Sequence, residues 1–84
     1  MTKYTVDCAC IGCREALHQA LAAALPFPDH YGNNLDALFD CLMELGADTE
    51  IRLLDWDSLG DWKRGFEKVF IQAGLDNPHL TIVL

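Results

Sequence analysis

Tyr4-Thr5-Val6-Asp7-Cys8 alternates in polarity and predicts a short strand near the start of the chain. Ala16, Leu17, Ala20, Leu21 and Ala24 then recur at helical spacing, predicting a helix from about Arg14 to Ala24. Leu25-Pro26-Phe27-Pro28 ends it, because proline cannot continue a helix and pushes the preceding residue toward extended backbone. Asp29-His30-Tyr31-Gly32-Asn33 reads as a loop, with Gly32 and Asn33 or Asn34 suited to turn and N-cap geometry. Leu35, Leu38, Leu42 and Leu45 share one helical sector and predict a second helix over 35–45, with Gly46 as its C-terminal stop. Beyond it the pattern predicts a strand over Glu50–Trp56, a helix over Lys63–Ala73 ended by Gly74, and a closing strand over Thr81–Leu84. Asp57–Trp62 has room for no more than one helical turn. Strands separated by helices imply an α/β fold with a small parallel sheet and helical crossovers.

At 84 residues the chain has the length of one domain, residues 1–84, and 51% hydrophobic residues suffice for a core. That apolar content is too high for an intrinsically disordered segment. The formal charge of −7, from 13 acidic against 6 basic residues, excludes the usual binders of nucleic acid or anionic membrane, which need clustered Lys and Arg. No run approaches the roughly 20 apolar residues of a membrane span, and Met1–Asp7 carries no signal-peptide core. The expectation is a cytoplasmic protein with no cofactor, whose four cysteines are thiols or ligands rather than disulfides.

The distribution of charge says more than its sum. From Glu15 to Ile51 there is no Lys or Arg, while the window holds Glu15, Asp29, Asp36, Asp40, Glu44, Asp48 and Glu50. On the second helix Asp36, Asp40 and Glu44 follow one another at i, i+4, opposite the leucines, with Phe39 and Met43 along the border. Like charges at this spacing cost a helix about 0.2–0.5 kcal/mol per pair, and no cation of the same helix offsets them. An ordinary solvated face would interleave lysines and would not flank its acids with an aromatic ring. The stripe instead suits docking into a basic cleft.

Cys8-x-Cys10-x-x-Cys13 is the other conspicuous cluster, able in principle to hold a soft metal with His18 or Cys41 as fourth ligand, or to act as a redox-responsive module. Only Cys10-x-x-Cys13 has the spacing of a zinc half-site, and the simpler expectation is a core-facing Cys8 with two thiols around a helix start. An enzyme is not indicated. Asp36 and Asp40 are paired carboxylates, but there is no phosphate-cradling glycine loop and no nucleophile–base arrangement.

The stretch Asp29-His30-Tyr31-Gly32-Asn33-Asn34-Leu35-Asp36-Ala37-Leu38-Phe39-Asp40-Cys41-Leu42 resembles the signature of the barstar family, intracellular inhibitors of barnase-type ribonucleases. Leu17-His18-Gln19, Pro28, Trp56, Val69-Phe70 and the closing Thr81–Leu84 extend the likeness along the chain in order. The resemblance implies a three-stranded parallel sheet packed by three to four helices, no catalytic activity, and a 1:1 complex with a basic ribonuclease by a chain that is monomeric when free. It implies an immunity or antitoxin role. By the same likeness Asp40 enters the enzyme's phosphate site and Asp36 is a second acidic contact. His30, Tyr31, Gly32, Asn34, Leu35, Phe39, Met43 and Glu44 complete the contact surface, with Gln72 of the last helix at its periphery. His30 and Phe39 stand where the family carries Tyr and Trp, and Gln72 where it carries an acid. The segment between Trp56 and the last helix is shorter than the family's.

Overall fold

The computed structural model describes all 84 residues, and its sheet explains the alternation first read along the chain. β1 (Thr2–Asp7), β2 (Thr49–Leu54) and β3 (Leu80–Val83) form one parallel sheet in the order β1-β2-β3. Its register pairs Thr2 with Thr49, Val6 with Leu53 and Ile51 with Ile82. One face carries Val6, Ile51, Leu53 and Leu80, all buried, and the other exposes Lys3, Thr5, Arg52, Thr81 and Val83. A parallel sheet is commonly covered on both faces. Here charge keeps the second face wet, with Arg52 Nε donating to Glu50 Oε2 at 2.8 Å.

Three helices connect and cover the strands: α1 (Arg14–Ala24), α2 (Leu35–Met43) and α3 (Lys63–Asp76). They bring Leu17, Leu21, Leu38, Leu42, Phe66 and Phe70 into a single core with the sheet. Each such leucine, fully buried, contributes about 1.5–3 kcal/mol relative to exposure. Trp56 is buried edge-on to Phe70 at 5.9 Å, and its Nε1 donates to Glu67. No helix is long and apolar enough to cross a membrane.

The α/β class, the parallel sheet and the bounds of α1 agree with the sequence reading, whereas several other bounds move. β1 starts two residues earlier because its parallel register with β2 begins at Thr2. β2 stops at Leu54 rather than Trp56, since Asp55 turns into the left-handed region (φ 55°) and leads into one 3-10 turn over Trp56–Ser58. α2 ends at Met43, not Leu45, and Gly46 does not take the left-handed stop expected of it. α3 runs through Gly74 to Asp76. The stop is Asn77, held extended (φ −105°, ψ 108°) ahead of Pro78.

Candidate functional site

The loop before α2 is built from beneath. Tyr31 is 9% exposed, and its hydroxyl lies 2.7 Å from Nδ1 of His18, itself 5% exposed on α1. Phe27 packs against the Tyr31 ring at 5.0 Å and Phe66 against the His18 ring at 4.7 Å. Burial pushes the Tyr31 hydroxyl far above its ordinary range and lowers the His18 pKa, so both groups are neutral near pH 7. Above this support His30, Gly32, Asn33 and Asn34 are exposed.

Asn33 adopts φ 52°, a left-handed conformation that asparagine tolerates, and so turns the chain into α2. Asn34 is the N-cap: its Oδ1 accepts from the Ala37 N–H at 2.8 Å while its Nδ2 donates to the Gly32 carbonyl at 3.2 Å. At the other end of the helix no basic side chain is available. Asn77, 4% exposed, does the work from outside, with Nδ2 donating to the carbonyls of Leu42 at 2.9 Å and Leu45 at 3.0 Å. One side chain thus adds a donor to the Leu42 carbonyl, which the Leu45 N–H reaches only at 3.4 Å, and serves the Leu45 carbonyl just past the helix end.

Leu38 and Leu42 turn into the core, which fixes the rotation of α2 and sends Asp36, Asp40 and Glu44 to solvent. None of the three forms an ion pair; the three salt bridges of the molecule lie elsewhere. The largest depression on the surface, about 740 Å³, runs between α2 and α3. Leu35, Asp36, Phe39 and Asp40 form one wall. Lys68, Val69, Ile71 and Gln72 form the other. The helices approach closely because α3 has a glycine at the crossing: a Cβ on Gly65 would lie 2.8 Å from Cδ1 of Leu35.

The structure therefore gathers Leu35, Asp36, Phe39, Asp40 and Gln72 in one groove. It leaves His30, Gly32 and Asn34 on the adjoining loop, and Met43 and Glu44 beyond the groove toward the C-terminal end of α2. Tyr31, expected among the contacts, has its side chain in the core, where it supports the loop. Sequence reasoning missed Lys68 and Ile71. Lys68 stands at i−4 from Gln72, so helical spacing alone places it on the same face.

The cysteines do not form a cluster with ligand geometry. Cys8 is buried, where desolvation first and the Asp7 and Asp55 charges second push its thiol pKa up. Cys10 and Cys13 are exposed, and Cys41 is half-buried with its pKa raised by burial and by Glu44 and Asp40. No three His, Cys, Asp or Glu side chains are placed to share a metal ion.

Residues 1–73 match the family model described as Barstar (barnase inhibitor). A protein of Bacillus subtilis (strain 168), named as the candidate ribonuclease inhibitor YrdF, is 64% identical over 28 residues. That stretch is 33% of this chain and 31% of the relative, so the aligned part of the chain spans about a third of the protein it matches.

Proposed function

The chain belongs to the barstar family, and from that membership we propose that it inhibits a barnase-type ribonuclease by seating α2 and the preceding loop in the enzyme's active site. It acts without catalysis. The observation that carries this reading is the pair Asp36 and Asp40, exposed in one groove of a helix whose rotation is fixed by buried leucines and whose charges have no internal counter-ion. A ribonuclease cleft is lined with cations for the phosphates of RNA. Carboxylates held on a rigid helix offer those cations a non-cleavable substitute, and charge complementarity accelerates encounter and selects the partner.

The reading takes residues 1–84 as one inhibitor domain, monomeric when free, that acts one-to-one in the cytoplasm as an immunity protein. Cleavage of RNA by a panel of barnase-type ribonucleases, titrated with the purified chain, tests it. At least one enzyme is expected to lose activity at an equimolar ratio, and no inhibition across the panel overturns the proposal. Within the complex Asp40→Ala should weaken binding about 30-fold or more, the loss of a central anchor. Glu44→Ala, outside the groove, should cost less than about fivefold, as an exposed charge does. Equal losses at the two positions overturn the assigned geometry.

A further inference from the structure

Lys68 is a cation set into the groove that otherwise presents Asp36 and Asp40. It is exposed and has no carboxylate within ion-pair distance, because the ion pairs of the molecule involve Arg52, Lys63 and His79. The groove is thus polarised across its width. Its α2 wall is anionic, its α3 wall cationic, and Phe39, Val69 and the half-exposed Ile71 line the space between. At about 740 Å³ it is large enough for partner side chains rather than a single ion.

Resting on the ribonuclease reading above, we infer that the target enzyme presents a dipolar surface here: a cation toward Asp36 and Asp40, an apolar side chain over Phe39 and Ile71, and a carboxylate toward Lys68. A partner that was cationic throughout would meet Lys68 as a like charge, and such juxtapositions are what interfaces use to reject wrong partners. Lys68 is by this argument a specificity-determining residue. It selects, among basic ribonucleases, those with an acidic group beside the active-site cations. Gln72, one turn further along α3, donates its Nε2 to Asp76 at 2.9 Å and adds no charge of its own to that wall.

The test is the sign of a charge reversal. Binding of an inhibited ribonuclease from the panel is measured for the unaltered chain, Lys68→Gln, Lys68→Glu and Asp40→Asn, with circular dichroism and thermal melting to establish that each variant folds. Lys68 is exposed, so its variants should melt with the parent. The inference expects Lys68→Gln to weaken binding by a few-fold and Lys68→Glu by about tenfold or more, since attraction becomes repulsion. Tighter binding by Lys68→Glu means that the facing surface is cationic and overturns the inference, and unchanged binding overturns it by showing no charged contact there. Asp40→Asn separates the two levels. If it weakens binding while Lys68→Glu strengthens it, the inhibitor reading stands and only the dipolar partner falls. If Asp40→Asn has no effect, or no ribonuclease of the panel is inhibited, both fall.

Discussion

His18 is where a single protonation state decides whether the loop before α2 keeps its support. Its ring is buried against Phe66 and hydrogen-bonded to the Tyr31 hydroxyl, and desolvation lowers its pKa from the ordinary 6.5. Below that ordinary value an unfolded chain binds a proton at His18 while the folded chain does not. The folded state then carries fewer protons, so stability falls as pH drops from 6.5 toward the lower folded-state value. Above pH 6.5 the stabilisation is fully present and independent of pH at this group. The urea midpoint should therefore drop as pH falls below 6.5, and His18→Gln should show a smaller drop from a lower starting stability. An undiminished drop in that variant would assign the acid sensitivity elsewhere. Little of this was readable in the sequence: a lone histidine at helical spacing looks the same whether it meets solvent or a buried tyrosine. For the same reason the burial of the Tyr31 ring, flanked by exposed loop residues, left no mark in the sequence.

At the scale of elements, α2 is set by its two ends more than by its helix propensity. Nine residues with like charges at i, i+4 form a marginal helix on their own. Asn34 caps the N-terminus locally, and Asn77, 35 residues from Leu42 in the chain, caps the C-terminus through two carbonyls. Asn77→Ala should cost about 1–3 kcal/mol, the penalty of leaving buried polar groups unpaired. Asn77→Asp is the sharper variant. It keeps the acceptor that receives the His79 N–H but sets a carboxylate against two carbonyl oxygens, so it should be at least as destabilised in a denaturant titration. Stability equal to the parent's would show that Asn77 matters only for packing. The N-cap was legible to within one residue, because Asn33 and Asn34 directly precede the apolar period, and α1 was legible because proline follows it at once. The other ends were not. Gly46 and Gly74 each looked like a helix stop, yet the distant Asn77 accepts the role at α2, and Pro78 outweighs Gly74 at α3. A long-range hydrogen bond leaves no local signature.

Over the whole molecule the fold sorts charge that the sequence merely segregates. The basic-free window from Glu15 to Ile51 becomes an acidic α2 on the helical side, while the open face of the sheet mixes Lys3, Glu50 and Arg52. That concentration was visible from the i, i+4 spacing of Asp36, Asp40 and Glu44. Of the opposing wall only Gln72 was expected, because the approach of α3 depends on Gly65 meeting Leu35 and on a tertiary crossing no pattern encodes. On the proposed reading, the encounter with a basic ribonuclease is an electrostatic problem. Exposed charges act beyond contact distance only as far as the Debye length, about 10 Å at 0.1 M salt. Raising salt from about 0.05 to 0.5 M should therefore slow association strongly and change dissociation little, since the short contacts inside the groove are less screened. Replacing both Asp36 and Asp40 by Asn should flatten the dependence of the association rate on salt. Replacing Asp7, which lies on β1 away from the groove, should leave that slope nearly unchanged. Stopped-flow mixing measures both rates. If the Asp7 variant flattened the slope as much as the paired change, net charge rather than the placed pair would steer the encounter, and the acidic face of α2 would lose its special standing.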